Sequence, residues 1–395
     1  MFSSLQNTSE DPIMGLFQRY QSDPRAFKVN LGIGLYADDA GRVPVLQSVC
    51  AARRTLMERE MPPSVYLPTE GEGAFRACVK TTLFGDRDLE HLTIVQTLAG
   101  TGALALGADF LVRALGRRTI WVSNPTWANH PAILEGSGLA VRSYPYYDPS
   151  TGSVDVEGMF AALQALERGS VVLLQPCCHN PTGADIPPSR WPQLLDLIAE
   201  RQLLPFFDIA YQGLSQGMDE DMAPVRTCVS RGVACLVANS FSKIFSLYGE
   251  RVGALSIYAP DGRADAVLGQ LNDIVRGRYT SPPGWGAALA TTVLSDPALN
   301  EQWRCEVETM RQRMRSVREV LYSQLTDLVP RTSFSYLLDQ RGMFSYTGLS
   351  PAQVHRLRED HAVYVVPSGR LCVAGLNSSN LEHVGRAIAS AMRET

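Results

Sequence analysis

Short apolar runs alternate with stretches of helical periodicity from about residue 92 to residue 258. The runs read as strands: HLTIVQ, TIWVSN, LAVRSYPYY, SVVLLQP, LLPFFDIAY, GVACLVANS and VGALSIYA. The stretches between them read as helices: GTGALALGADFLVRAL, PAILEGSG, VEGMFAALQAL and WPQLLDLIAERQ. Apolar strands that alternate with amphipathic helices are typical of a mostly parallel sheet that is covered on both faces. The sequence therefore predicts an α/β domain.

The C-terminal part of the chain has a different pattern. A long charged helix is predicted near residues 297–326, and a helix that opens at SPAQVHRLRED and the strands AVYVVPSG and RLCVAGL follow it. These elements predict a smaller α+β domain, which we expect the segment NLGIGLY near the N terminus to join. We predict three parts: residues 1–43, an N-terminal arm with part of the small domain; residues 44–310, the large domain; and residues 311–395, the small C-terminal domain.

Composition argues against several classes of protein. The formal net charge of −4 argues against a surface that binds nucleic acid. No apolar window of about 18 residues occurs, and the start of the chain lacks the basic and apolar segments of a secretory signal. The eight cysteines include no CxxC pair, so we expect reduced thiols and no metal site. A cytoplasmic protein without nucleic-acid or membrane partners is therefore expected.

Lysine is rare in this chain, and one lysine stands in an unusual context. Three lysines, Lys28, Lys80 and Lys243, occur among 36 basic residues. Lys243 lies in NSFSKIFSLYGERVG, between Ser242 and an apolar pair. A lysine can lose its proton and attack a carbonyl to form an imine, which an arginine cannot do. In a chain whose usual cation is arginine, Lys243 is therefore a candidate for such chemistry.

Polar side chains follow five of the predicted strands, at the edge where open α/β sheets bind ligands. The strand HLTIVQ is followed by TLAGTGAL, whose backbone N–H groups and helix N terminus would face an anion. The other strand ends supply the aromatic ring of Trp127 with His130 beside it, the amide of Asn180, the carboxylate of Asp208 and the phenol of Tyr211. The last of them supplies the hydroxyls of Ser240 and Ser242, the amine of Lys243 and, further along, Arg251.

Three functions are possible for these strand ends. GTGALA fits the loose dinucleotide pattern G-x-G-x-x-A, but a nicotinamide-dependent oxidoreductase would place an acid where Ser123 and Asn124 end the next strand. A Schiff-base lysine, an anion cradle and a carboxylate for a ring nitrogen instead describe a pyridoxal phosphate site. A buried Asp208 without a cationic partner would be costly, which favours this function. A non-catalytic module that binds pyridoxal phosphate is the other alternative.

In these residues the chain resembles the class I aminotransferases of the aspartate aminotransferase family, which have fold type I of the pyridoxal phosphate enzymes. The similarity runs nearly end to end, through NLGIGLY, VYLPTEGEGAFR, TLAGTGAL, SNPTWANH, CCHNPTGAD, FDIAYQG, RYTSPP and SGRLCVAGL. Within the family the chain is most similar to the bacterial aromatic-amino-acid (tyrosine) group, above all in SFSKIFSLYGERVG and QRGMFSYTGLS. The resemblance implies a large pyridoxal-phosphate-binding domain and a smaller α+β domain.

The resemblance also implies a role for the side chains at the strand ends. Lys243 would form the Schiff base with pyridoxal phosphate and would move the proton during the reaction. Asp208, with His130 behind it, would pair with the ring nitrogen of the cofactor. Tyr211 and Asn180 would hydrogen-bond the phenolic oxygen of the ring.

Other residues of the matched motifs would hold the rest of the cofactor and the substrate. Trp127 would stack on the ring, and the phosphate would be held by Gly100, Thr101, Ser240, Ser242 and Arg251. Tyr66 would reach that phosphate from the neighbouring subunit of a homodimer with shared active sites. The substrate-binding set implied by the resemblance is Gly34, Tyr66, Trp127, Asn180, Arg276 and Arg370. In this set Arg370 would bind the α-carboxylate of the substrate. Arg276 would cross from the other subunit to bind a side-chain carboxylate, and the nearby Arg278 is the other arginine that could take this role.

The activity that the resemblance implies is that of an aromatic-amino-acid or aspartate transaminase, which moves the amino group between aromatic or dicarboxylic amino acids and 2-oxoglutarate. Positions that line the substrate side chain carry Leu35, Val43, Val65 and Ser281, a set that favours an aromatic substrate. An aspartate-preferring enzyme is the alternative. Three positions depart from relatives: Gln175 stands for a histidine, Ala99 for a serine and Ala37 for a larger residue.

Overall fold

The computed structural model describes residues 2, 12–59, 65–87 and 89–393. Residues 1 and 3–11 of the predicted N-terminal arm, residues 60–64 and 88 of the predicted large domain, and the last two residues lie outside these ranges. The helices are α1 Pro12–Ser22, α2 Gln47–Glu58, α3 Gly73–Phe84, α4 Ala99–Arg113, α5 His130–Gly136, α6 Val156–Gln164, α7 Trp191–Glu200, α8 Ala223–Ser230, α9 Ala264–Arg278, α10 Trp285–Ser295, α11 Pro297–Leu328, α12 Tyr336–Asp339, α13 Pro351–His361 and α14 Leu381–Arg393. The strands are β1 Val29–Asn30, β2 Leu92–Leu98, β3 Thr119–Asn124, β4 Ala140–Pro145, β5 Tyr147–Asp148, β6 Ser153–Val154, β7 Val171–Leu174, β8 Leu204–Ile209, β9 Cys235–Ser240, β10 Val252–Tyr258, β11 Phe344–Tyr346, β12 Val363–Tyr364 and β13 Arg370–Cys372.

A seven-stranded sheet with the order β2-β10-β9-β8-β7-β3-β4 forms the centre of the large domain. All neighbours in it are parallel except β10, which is antiparallel to both β2 and β9. The carboxyl ends of the parallel strands therefore meet at one edge of the sheet. Because β10 runs the other way, its first residues lie at the same edge, where Val252 is opposite Leu98 and Gly253 is opposite Ser240.

Both faces of the sheet are covered by helices, as the apolar strands predict. On one face α4 and α9 bury Leu104, Phe110 and Ile274 against strand residues such as Val95 and Leu255. On the other face the core includes side chains of α3, α7, α8 and α10. Fully burying an aliphatic or aromatic side chain contributes about 1.5–3 kcal/mol, so these two layers hold the carboxyl edge in place. The predicted α/β fold is confirmed.

The long helix α11 connects the two cores of the chain. It begins at a clear N-terminal signal, since the Asp296 carboxylate accepts hydrogen bonds from the backbone N–H groups of Ala298 and Leu299 and Pro297 follows it. Its first half packs on the large core and its second half, with Val317, packs in the core of the smaller unit. Helix α11 passes residue 310 without a break, so it does not mark the predicted boundary between the two domains. The predicted domain boundaries stay a prediction.

The segment near the N terminus packs against the C-terminal unit. Strand β1 pairs with β12 in parallel, with Val29 opposite Val363. The backbone N–H of Leu31 continues this pairing by donating to the carbonyl of Tyr364 at 2.8 Å. These contacts bring residues 32–37, which follow β1, close to strand β13 and Arg370. In the part of the chain that is described, no helix combines the length and the apolarity needed to cross a bilayer.

Candidate active site

A cleft that opens to solvent lies at the carboxyl edge of the large sheet. It is lined by Ala99, Gly100, Thr101, Trp127, Gln175, Asn180, Asp208, Ala210, Tyr211, Ser240, Ser242, Lys243 and Arg251. Every cofactor-binding residue expected from the strand ends is in this set. The structure therefore brings these residues together, as the parallel arrangement of the strands requires.

Lys243 is partly buried in the cleft, with its ammonium group 5.4 Å from the centroid of the Tyr211 ring. The pKa of this lysine is lowered from 10.5 to about 8, mainly by burial; the Asp208 charge opposes the shift and the Arg251 charge contributes to it. Roughly a tenth of the amine is therefore unprotonated at pH 7, far more than in an ordinary lysine, and only this form is a nucleophile. Lys28 has a different task, because its ammonium group donates to carbonyls at the end of α1, including that of Asp23 at 2.6 Å.

Asp208 lies near the end of β8 and is buried. Its Oδ2 atom lies 3.0 Å from Nε2 of His130, and Nδ1 of that histidine lies 2.7 Å from the hydroxyl of Thr126. The edge of the Trp127 ring system meets the same histidine, with ring centroids 5.3 Å apart. This chain of contacts fixes the direction of the carboxylate within the cleft. A fixed, buried carboxylate suits a cationic ring nitrogen.

Arg370 is 4% exposed and no carboxylate pairs with it in the described part of the chain. Its guanidinium donates to the Oδ1 atom of Asn180 at 3.3 Å and to the carbonyl of Gly32 at 2.6 Å, and it lies 4.3 Å from the centroid of the Phe344 ring. Burial lowers the pKa of Arg370. A buried guanidinium without an acid is suited to bind a carboxylate from outside.

Asn180 links Arg370 to the Tyr211 hydroxyl through hydrogen bonds. Its Nδ2 atom donates to the Tyr211 hydroxyl at 3.4 Å, and burial raises the pKa of that hydroxyl. The phenol therefore stays protonated near neutral pH and can donate a hydrogen bond. Gly34, the other residue expected near the substrate, lies against Phe344, where an added Cβ would be 2.7 Å from the ring.

Hydroxyls, backbone N–H groups and one guanidinium form an anion cradle. The hydroxyl of Ser240 lies 3.1 Å from that of Ser242, to which Arg251 donates at 3.4 Å. Gly100 and Thr101 are in the first turn of α4, whose N–H groups have no partner inside the helix. Ala99 and Arg251 have φ values of 56° and 54°, a left-handed conformation that costs non-glycine residues about 1 kcal/mol or more.

The cleft fits pyridoxal phosphate on the chemistry of its donors. It combines an amine of lowered pKa, a buried carboxylate, a phenol and an anion cradle within one set of lining residues. Lys243 would hold the aldehyde carbon, Asp208 the ring nitrogen, and the cradle the phosphate. Because Ala99 begins α4 with its backbone N–H bonded to the carbonyl of Arg251, the absence of a serine at position 99 leaves the N–H groups of the next residues available.

Two residues without a predicted role in the site support the residues that have one. Gln175, noted only as a departure from relatives, holds the backbone of Asn180 on both sides, through its N–H and its carbonyl. Phe344 supports Arg370 and Gly34. The motif QRGMFSYTGLS contained Phe344, but an apolar side chain carries no chemical signal of such a task.

Tyr66 and Arg276 are not among the residues that line the cleft. Tyr66 is 86% exposed, and Arg276 is exposed on the last turn of α9 without a hydrogen bond or ion pair to any described residue. The neighbouring Arg278, by contrast, donates to both carboxylate oxygens of Asp109 at 2.9 Å. Of these two arginines, Arg276 is therefore the one available for a ligand.

The cysteines are consistent with the expectation of reduced thiols, since none of the eight forms a disulfide. The sulfurs of Cys177 and Cys178 and one oxygen of Asp221 lie within 4.8 Å of one another. Burial raises the pKa of Cys178 to about 11, and three backbone N–H groups already donate to the Asp221 carboxylate. A metal ion needs a thiolate and free carboxylate oxygens, so this cluster is better described as part of the core.

Residues 27–388 match the family model of the class I and II aminotransferases. The chain belongs to this family. It is 48% identical to the aromatic-amino-acid aminotransferase of Escherichia coli (strain K12), over 99% of this chain and 100% of that protein.

Two solved structures are similar over the whole chain. The aromatic-amino-acid aminotransferase of Burkholderia pseudomallei, covalently bound to pyridoxal phosphate, is 42% identical, with a TM-score of 0.95 and 99% of each chain covered. The psychrophilic aromatic amino acids aminotransferase of Psychrobacter sp. B6, cocrystallised with aspartic acid, is 42% identical, with a TM-score of 0.97 and 100% of each chain covered. The predicted family, fold, aminotransferase activity and pyridoxal phosphate cofactor are confirmed.

Proposed function

We propose that this protein is a pyridoxal-phosphate-dependent transaminase that moves the amino group between aromatic or dicarboxylic amino acids and 2-oxoglutarate. The observation that carries the proposal is the position of Lys243, an amine of lowered pKa in the same cleft as Asp208 and the anion cradle. The similar proteins support the substrate class, since they include aromatic-amino-acid aminotransferases and one that was cocrystallised with aspartic acid. The nicotinamide alternative and the non-catalytic module have no such support.

When bound, pyridoxal phosphate supplies a ring that takes up the electrons released at the α-carbon of the amino acid. Lys243, whose lowered pKa leaves part of the amine unprotonated near neutral pH, would hold the aldehyde carbon of the cofactor and would carry the proton at its Nζ atom during the reaction. Asp208, oriented by His130, would hold the ring nitrogen of the cofactor. The Tyr211 hydroxyl, which stays protonated, donates a hydrogen bond within the cleft.

Arg370 binds the α-carboxylate of the substrate and sets its orientation. Its guanidinium is held by Asn180 and by the carbonyl of Gly32, so little side-chain freedom is lost when a carboxylate arrives. The two parallel N–H donors of a guanidinium match the two oxygens of a carboxylate. The amino group is thereby directed toward Lys243 instead of being free to rotate.

We further propose a cytoplasmic homodimer in which Arg276 and Tyr66 complete the site of the other subunit. Both side chains are exposed on the single chain, and Val65 beside Tyr66 is 75% exposed, as expected of residues that a partner covers. A hybrid dimer tests this arrangement: one subunit carries Lys243→Ala and the other carries Arg276→Ala. One of its two sites then has neither change, so activity toward aspartate returns on mixing. Absence of recovery after proven subunit exchange would contradict the shared site.

The substrate preference is expected from residues that the resemblance to the family places along the substrate side chain. Leu35, Val43 and Val65 offer apolar surface, which stabilises a phenyl ring by about 25 cal/mol per Å² buried, and Arg276 offers an ionic partner for a dicarboxylate. We expect kcat/KM for phenylalanine or tyrosine to equal or exceed that for aspartate. Paired kinetics with 2-oxoglutarate as acceptor measure this, and a strong preference for aspartate would favour the aspartate-preferring alternative.

The reaction itself is tested by absorption spectroscopy of the purified protein. Addition of glutamate converts the cofactor from its aldehyde-derived to its amine form, so the visible absorption band shifts without any acceptor present. A protein that binds pyridoxal phosphate only as an effector shows no such change. The same titration with aspartate and with phenylalanine gives the order of the donor substrates.

A further inference from the structure

A second cleft, of about 270 Å³ and open to solvent, shares no lining residue with the cofactor cleft. Its walls are the middle of helix α11, the loop 214–216 after strand β8 and the segment 337–342. This segment leads into β11, whose Phe344 supports Arg370. The second cleft therefore lies between the large core and the smaller unit, next to the segment that carries a support of the substrate site.

The walls of this cleft have a strong excess of positive charge. Among its lining residues there is one acid, Glu319, and there are four arginines: Arg311, Arg315, Arg318 and Arg341. Arg311 is paired with Glu308 at 2.6 Å and Arg315 with Glu319 at 3.3 Å. In the described part of the chain no carboxylate pairs with the other two arginines.

Arg318 is the more unusual of these two, because it is 3% exposed. One of its nitrogens, Nη2, donates to the carbonyls of Gly342 at 3.0 Å and Phe344 at 2.5 Å. The other two, Nε and Nη1, are buried without a hydrogen-bond partner in the described structure. A buried charge that lacks an opposite charge is costly, and burial lowers the pKa of this guanidinium to about 10. The charge of the buried Asp185 acts on Arg318 only from beyond ion-pair distance, so Arg318 has no direct acid partner in the described structure.

Arg341 adds a second guanidinium without a direct ion pair to the same cleft, although it lies within electrostatic range of the buried Asp185. Its Nη1 atom donates to two backbone carbonyls of the adjacent residues, including that of Gln340 at 3.2 Å. Its own backbone N–H donates to the carbonyl of Gly183 at 2.7 Å, which ties segment 337–342 to the loop that carries Asn180. The position of Arg341 is therefore set by the backbone, and its charge remains available to a ligand.

We propose that this cleft is a second binding site, for a small oxyanion with phosphate or carboxylate groups, held by Arg341 and Arg315, with the charge of the buried Arg318 behind them. Planar guanidinium groups bind both kinds of oxyanion through pairs of N–H donors, and the gain is largest where the arginine is buried. The open volume of the cleft is large enough to hold such an anion. The site is distinct from the phosphate cradle at Ser240 and Ser242 and from the carboxylate site at Arg370.

Isothermal titration calorimetry of the holoenzyme tests the proposal, with inorganic phosphate and with citrate as separate probes. In the holoenzyme the cofactor already fills the phosphate cradle. We expect saturable binding of at least one probe, and the tighter one assigns the ligand as a phosphate or a carboxylate. An Arg370→Leu holoenzyme should bind that probe with unchanged affinity. Loss of binding in this variant would overturn the second site, as would the absence of saturable binding of both probes at millimolar concentrations.

A matched pair of variants tests the assignment of the arginines. Arg315 and Arg386 are both exposed helix residues, with side chains 69% and 71% exposed, and each pairs with a glutamate four residues away. Arg386→Gln should leave the affinity unchanged, and Arg315→Gln should weaken it. Arg315→Gln combined with Arg341→Gln should weaken it roughly tenfold or more. If the double variant does not fold, Arg315→Gln alone decides. Equal effects of Arg315→Gln and Arg386→Gln would overturn the proposal.

Discussion

Gln175 holds Asn180 through both backbone groups of that residue. The Nε2 atom of Gln175 donates to the Asn180 carbonyl at 3.1 Å, and its Oε1 atom accepts from the Asn180 N–H at 2.9 Å. Asn180 in turn contacts Arg370 and the Tyr211 hydroxyl. The buried side chain of Gln175 thus positions Asn180, which links Arg370 to Tyr211.

Gln175→Leu should reduce kcat/KM for amino acids by about tenfold or more, mainly by raising KM. The change leaves two buried backbone groups of Asn180 without partners, at a cost of about 1–3 kcal/mol each. Gln212→Leu is the control, because Gln212 is also buried and its Nε2 atom also donates to two carbonyls, at 3.1 and 3.0 Å. Steady-state kinetics should show a KM effect in the first variant only; equal effects would mean that Gln175 has only a general structural role.

Lys243→Ala should retain pyridoxal phosphate but lose turnover by roughly 10²–10⁴-fold or more, because a positioned proton-transfer group and the covalent link are both removed. Borohydride reduction of the wild type followed by peptide mapping should place the label on the peptide that contains Lys243. Lys28, whose ammonium group is bonded to carbonyls at the end of α1, should stay unlabelled. A label on Lys28 or Lys80 contradicts the assignment.

The lowered pKa of Lys243 predicts a specific dependence of stability on pH in the cofactor-free protein. Between pH 8 and 10.5 the unfolded chain holds a proton on this lysine that the folded chain has lost, so the lysine's contribution to stability rises with pH in this window. Lys243→Met should therefore be more stable than the wild type at pH 7, by up to about 3 kcal/mol. Urea unfolding at several pH values measures this difference, which should vanish above pH 10.5. A difference that is constant with pH would show that it arises from packing.

Asp208→Asn should retain the cofactor and lose roughly a hundredfold or more in kcat, because the amide keeps the shape of the side chain but not its charge beside the ring nitrogen. Asp109→Asn provides a control, since Asp109 is also buried and binds Arg278 on the far end of α9. That variant should lower the melting temperature and leave kcat near the wild-type value. Near-normal kcat in Asp208→Asn would show that this acid is structural.

Arg276→Ala should lower kcat/KM for aspartate by roughly a hundredfold, because the charged hydrogen bonds to the side-chain carboxylate are lost. The kcat/KM for phenylalanine should change much less. Arg278→Ala is a close control, because Arg278 is two residues away but is bound to Asp109. It should affect stability and leave the substrate preference unchanged. Equal loss of both substrate classes in Arg276→Ala would remove this arginine from the recognition of the side chain.

The amino-acid sequence by itself determined which residues meet in the cofactor cleft. Parallel strands end at one edge of a sheet, so the polar residues after each apolar run were bound to converge there, as Asn180, Asp208 and Lys243 do. The rarity of lysine and its ability to form an imine then indicated the chemistry. These inferences need only local patterns and the rule for ligand sites in open sheets.

Only the tertiary structure decided which residues support the active site and which of two neighbouring arginines is available for a ligand. Whether Arg276 or Arg278 is available depends on Asp109, which lies more than 160 residues earlier in the chain on α4. The contacts of Gln175 depend on the loop that places the backbone of Asn180 beside its side chain. The contacts of Arg318 on helix α11 depend on the position of strand β11, which supplies the carbonyl of Phe344. Such relationships arise from packing between distant segments, and no periodicity or motif in the sequence encodes the distance between two side chains.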